Sequence, residues 1–166
     1  MSEYDSVHNI LRNDVMDELN AILKPTWNAE KWIFEGWNTL TDDEKNSIKQ
    51  RLDDVFKAGL PFELKHDPLI YIYTFSLCVQ LSCLGMQVPL RFAATMSQES
   101  FQQQLRSQLV DEVFHTMLFT KIVYLLCAPA AFPPAFSPCI ELFCNFFKYE
   151  TCPKVGVVLM NLMYQG

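Results

Sequence analysis

The sequence predicts an all-α protein, a helical bundle with an N-terminal helical extension, and three observations carry that expectation. Apolar residues recur at spacings of three and four along much of the chain, the repeat of one helix face. Half of the residues are hydrophobic while only 5 of 166 are glycine, a balance that suits neither turn-rich β folds nor disordered chains. Helix start and stop residues stand beside the apolar repeats. At 166 residues the chain suits a single domain with a sizeable core.

The elements follow in chain order. Val7, Leu11, Val15, Leu19 and Ile22 share one stripe of a helix that Pro25 should stop. Trp27, Trp32, Phe34 and Trp37 could line a ligand pocket, but aromatic residues near the start of a domain more often pack on the bundle. A second helix should begin at Thr41-Asp42-Asp43-Glu44, a capping box, with Ile48, Leu52, Val55 and Phe56 as its inner face and Gly59 as its stop.

Asp67-Pro68 opens the next helix, with the acid as cap and proline in the first turn. From there to position 90 the chain carries no charge, yet Thr74, Ser76, Gln80, Ser82, Gln87 and Pro89 interrupt the run and basic flanks are lacking. A helix buried in a bundle, without a stable membrane span, accounts for this composition. A long helix is expected over 97–127, capped by Ser97. The next uncharged stretch holds Pro129, Pro133, Pro134 and Pro138, which forbid a continuous helix and suggest an extended crossover before a short helix from Pro138 to about Lys148. Residues 155–165 are apolar and helix-permissive.

Charge divides the chain. Of 32 acidic and basic residues, 22 lie in positions 1–67 and 10 in 68–166, so residues 1–66 read as surface-rich helices and 67–166 as the apolar core of the same domain. The net charge of −6 and the scattered Lys and Arg argue against a nucleic-acid partner, which needs a concentrated basic surface. The mixed, acidic opening Met1-Ser2-Glu3-Tyr4-Asp5 does not resemble a secretory signal, which points to a cytoplasmic protein. The cysteines (Cys78, Cys83, Cys127, Cys139, Cys144, Cys152) contain no Cys-x-x-Cys pair and read as reduced, small, buried hydrophobes.

One segment carries chemistry. Leu105, Leu109, Glu112, His115 or Thr116, Phe119 and Ile122 recur at helical spacing on an otherwise apolar face, which takes Glu112 and His115 inward one turn apart. A buried carboxylate needs compensation, and carboxylate plus imidazole at this spacing is a ligand pair for iron or manganese in helical bundles.

The segment Leu109-Val110-Asp111-Glu112-Val113-Phe114-His115-Thr116-Met117-Leu118-Phe119 resembles the first Glu-x-x-His helix of the ferritin-like di-iron oxygenases, most closely that of the p-aminobenzoate N-oxygenase family. The resemblance implies a ferritin-like bundle in which Glu112 bridges and His115 terminally ligates a non-haem iron pair. That centre, in which manganese could stand for iron, would activate dioxygen to oxidise a small organic substrate. Asp111, about 100° round the helix from Glu112, is expected to orient an imidazole on another helix rather than touch metal.

The sequence departs from that family at the other ligands. The preceding helix has no glutamate around 77–82, where Gln80 is the nearest oxygen donor, and Tyr71 and Tyr73 are alternative phenolate donors or hydrogen-bonded core tyrosines. Downstream only Glu141 and Glu150 are offered, with no histidine after His115. Either the bundle continues in a missing C-terminal half, or two copies pair as a homodimer and each lends half a site. His8 and His66 read as solvated or capping residues. The rival reading is a metal-free helical interaction or scaffold protein in which Glu112 and His115 form a buried hydrogen-bonded pair.

Overall fold

In a computed structural model, residues 7, 10, 11, 29–57, 59, 60, 62–127 and 133–164 are described, with side chains as far as Met160. Val15, Leu19, Ile22, Trp27, His8 and Pro129, together with the first stop at Pro25, lie outside these residues. Within them the chain is all-α, with six helices and no strand: α1 (Ala29–Trp37), α2 (Asp42–Phe56), α3 (Pro68–Phe92), α4 (Glu99–Leu126), α5 (Pro138–Tyr149) and α6 (Pro153–Tyr164). A 3₁₀ turn, Ala93–Thr95, follows α3.

The local signals act where they stand in the chain. The Thr41 side chain accepts the Glu44 amide at 3.3 Å, and the Glu44 carboxylate accepts the Thr41 amide at 2.7 Å. Together they satisfy two N–H groups that the first turn of α2 leaves open. Gly59, just beyond α2, has φ of +93°, a conformation open to glycine at little cost. Asp67 caps α3 by accepting the Leu69 amide at 2.8 Å. At α4 the cap differs from expectation, for the helix starts two residues after Ser97, with Gln98 at the cap position and no side chain bonded to the first turn.

Helices α3 and α4 form the centre and run antiparallel, with Gly85 against Glu112 at one level and the Phe75 and Phe119 rings 5.9 Å apart at another. Helix α5 lies along α3 in the same direction, tied by Ser137 N–H to Gln80 (2.6 Å) and by Arg91 to the Glu150 carbonyl (3.2 Å). Helix α2 runs alongside α4. Its Glu44 meets Arg106, its Arg51 meets Asp111 at 3.0 Å, and Lys121 sits 5.0 Å over the Phe56 ring. Helix α1 packs on the α3–α4 pair through Gly36, where an added Cβ would press on Met86 of α3 and Val113 of α4.

The core is shared by the two compositional parts. Trp32, Ile33, Trp37, Ile48 and Leu52 are as deeply buried as Met86, Leu109 and Met117, so the charged N-terminal part contributes an inner face and not only surface. Among the possible readings of the tryptophans, Trp32 and Trp37 take the packing one. Helix α3 with its 3₁₀ turn is long and apolar enough to cross a membrane by composition, yet half of its most apolar window is buried by other helices.

Glu44 also fixes how α2 meets α4. The Arg106 guanidinium, hydrogen-bonded to it, holds its carboxyl below the ordinary value of 4.5 against the opposing effect of partial burial, and the Thr41 amide lowers it further. A carboxyl depressed by folding stabilises the native state above its unfolded pKa, and that contribution is lost as pH falls through the lower folded value. Glu44→Gln is therefore expected to reduce stability at neutral pH and to flatten its acid-side decline. Urea unfolding between about pH 3 and 7 measures both.

Candidate metal site

Helix α4 carries Glu112 in the middle of its buried run. Its inward stripe comprises Leu105, Leu109, Glu112, Thr116 and Thr120, with Thr116 donating its hydroxyl to the Glu112 carbonyl at 2.6 Å. Of the two residues that helical spacing allowed at the next turn, Thr116 is the one fully inside. His115 stands at the edge of the stripe with 43% of its side chain exposed, while only 10% of the Glu112 side chain is exposed. The expectation that both enter the core together is thus met by the carboxylate alone. The imidazole is parked on aromatic rings, 6.1 Å from Phe119 in a stacked arrangement and 5.6 Å from Phe114.

The two groups nevertheless face each other. His115 Nδ1 lies 3.7 Å from Glu112 Oε2, close enough for electrostatic attraction and too far for a hydrogen bond. Oε2 is buried and has no hydrogen-bond partner. An orphaned buried acceptor destabilises a fold by about 1–3 kcal/mol, and such a group calls for a functional explanation.

Gly85 explains how the carboxylate fits beneath α3. A Cβ at that position would stand 2.8 Å from Glu112 Oε1 and 3.0 Å from its carboxyl carbon, so glycine makes the room. Pro89, four residues later in α3, has no N–H to offer the Gly85 carbonyl. Neither Gly85 nor the choice of Thr116 over His115 was legible as part of this site, although the glycine-then-proline spacing in an otherwise apolar helix was a readable sign of close backbone approach.

The remaining candidate donors stand elsewhere. Gln80 is buried, but its amide oxygen accepts the Ser137 N–H at 2.6 Å where α3 meets the crossover. It lines a groove of about 450 Å³ with Tyr73, Leu77 and Pro134. Asp111 is paired with Arg51 at 3.0 Å, and the Arg51 guanidinium also sits 3.8 Å over the Phe114 ring. The Tyr71 hydroxyl accepts the Lys65 amide at 2.9 Å, and Tyr73 is 63% exposed. Glu150 accepts the amides of Thr151 and Cys152, a capping role ahead of α6. His66 is exposed beside Tyr71. Among the described residues no three His, Cys, Asp or Glu side chains gather as a metal site would need.

One further buried polar feature was not foreseen. Glu30, on α1, is buried and accepts the Tyr124 hydroxyl at 2.9 Å, tying the first helix to the end of α4. All six cysteines are free, with Cys83, Cys127 and Cys144 buried, Cys78 half-buried and Cys139 and Cys152 exposed. The hydrophobe reading thus fits the buried three and fails for the exposed two. Burial pushes the Cys144 thiol up to about 12 and Cys83 well above its usual range, where Cys144 and Glu112 add to the effect.

Comparison with protein-family models, with curated proteins and with solved structures gave no match. The reading of the site therefore rests on its geometry.

Proposed function

We propose that this chain binds a divalent transition-metal ion through Glu112 and His115, as half of a ferritin-like centre that activates dioxygen to oxidise a small organic substrate. The observation that carries the proposal is the buried, unpartnered Glu112 Oε2 with His115 Nδ1 at 3.7 Å. A cation between them would compensate the carboxylate, and oxygen with imidazole is a donor set suited to iron or manganese. The donors described in this chain do not complete a di-iron centre, since Gln80 is engaged by Ser137 and no third acid or imidazole among the described residues joins the pair. The α3–α4 pair, with Glu112 buried between antiparallel helices and His115 beside it at the rim, is the element that supports a ferritin-like reading over an arbitrary bundle. Six free thiols suit a reducing, cytoplasmic setting.

A second reading, a metal-free helical interaction protein, is favoured by the same missing donors. Metal analysis separates the two. Purified protein loaded with Fe(II) under anaerobic conditions and then desalted is expected to retain iron. Glu112→Ala and His115→Ala are expected to keep their helical circular dichroism and to weaken binding by at least about tenfold, the loss seen even for outer-shell changes. Iron that washes off the wild type as readily as off both variants would remove the metal reading and leave the interaction protein.

A further inference from the structure

Helix α3 and the crossover ahead of α5 enclose a groove of about 450 Å³ lined by Tyr73, Ser76, Leu77, Gln80, Pro134 and Ala135, among others. Gln80 stands five residues before Gly85, or about 140° round the helix from it, so this groove and the Glu112 carboxylate lie on different faces of α3. No residue of the groove carries a charge. Gln80 is 5% exposed, and its Oε1 accepts the Ser137 N–H at 2.6 Å, which turns Nε2 and its two N–H donors the other way. That nitrogen makes no hydrogen bond among the described residues and is open to the groove. Ser76, one turn earlier on the same face, is 1% exposed, and its hydroxyl has no hydrogen-bond partner. A buried hydroxyl left in this state is costly unless something supplies the missing bond.

We propose that this groove binds a small uncharged molecule bearing an amide group, whose carbonyl accepts from Gln80 Nε2 and whose N–H donates to Ser76 Oγ. Residues four apart on a helix hold their Cβ atoms about 5–6 Å from each other, so both side chains can serve one functional group. Ser76 Oγ is covered in this conformation and comes to the groove by rotation about its single side-chain bond. A ketone would answer Gln80 alone, whereas an amide carries acceptor and donor together without charge. An anion or cation would give up its hydration for a lining that offers no opposite charge. Leu77, Pro134 and the Tyr73 ring leave an apolar wall for the rest of the molecule, and the volume lies within the range of small-molecule sites. The proposal does not depend on a metal at Glu112.

Titration of the full chain with hexanamide, followed in proton–nitrogen NMR correlation spectra, tests this. The Gln80 side-chain N–H signals, identified by their loss in Gln80→Glu, are expected to move saturably. Hexanoate and 2-heptanone have nearly the same shape as hexanamide. The acid is expected to bind at least about tenfold more weakly and the ketone several-fold more weakly, with Ser76→Ala erasing the preference for amide over ketone. Gln80→Glu keeps an oxygen for the Ser137 N–H and replaces the donor with an acceptor, so hexanamide should bind it about tenfold more weakly. Ala135→Trp, at an exposed position, fills the groove without touching the core and is expected to weaken hexanamide to a similar degree. It carries the test should Gln80→Glu lose its helical circular dichroism. No saturable movement with hexanamide at millimolar concentration would overturn the proposal, as would equal binding to wild type and Ala135→Trp. Hexanoate or 2-heptanone bound as tightly as hexanamide would overturn the amide class.

Discussion

Replacing Glu112 with methionine is expected to raise the melting temperature of the metal-free protein by about 5 °C, taking roughly 1–3 kcal/mol for the relieved oxygen and about 2–4 °C per kcal/mol at this chain length. Oε2 is buried without a partner, and a methionine of similar length keeps the packing beneath Gly85 while removing the polar atom. Exchanging buried charged groups for apolar ones of like volume is often neutral or stabilising. Adding Co(II) should reverse the order, because a ligand that binds only the native wild type stabilises it in proportion to the logarithm of its concentration. Thermal unfolding of both proteins with and without Co(II) reads both effects. A Glu112→Met variant less stable than wild type in the absence of metal would show that the carboxylate has a partner and belongs to the packing.

At the other end of the energy scale, Trp32→Ala is expected to lower stability by about 3–5 kcal/mol. Trp32 is fully buried, with Lys31 Nζ 4.8 Å from its ring, on a helix that closes the α3–α4 groove. Its indole nitrogen is buried without a hydrogen-bond partner. Trp32→Phe should therefore cost less than about 1.5 kcal/mol, since most of the volume stays and no satisfied bond is lost. Urea unfolding of the two variants measures the contrast. Equal losses would mean that the indole N–H, and not ring volume, holds α1 in place.

Glu112 shows why the chemistry was half legible in the sequence. Its place on the inner face follows from spacing to Leu105 and Leu109, a relation within one helix. His115 differs because residues three and four after a buried position straddle the centre of a helix face. Which of the two goes inside depends on what lies opposite, here α3, with the aromatic ledge of Phe119 and Phe75 holding the imidazole at the rim. Gln80 illustrates the converse. As an oxygen donor on the preceding helix it has suitable chemistry, but the chain returns at Ser137, 57 residues later, and takes its amide oxygen for a backbone N–H.

The sequence by itself determined the helical class and most element boundaries, because caps, proline starts and the glycine stop act within a turn or so of chain: Thr41 with Glu44, Asp67 with Pro68, Gly59, and Pro138 at the start of α5. Only the tertiary structure decided that Glu30 reaches Tyr124 across 94 residues and Arg106 reaches Glu44 across 62, that Glu112 lies against Gly85, and that His115 stands at the rim. The physical reason is that hydrogen bonding along a helix is local, whereas the identity of a buried side chain's neighbours depends on how helices pair and which small residues let them approach.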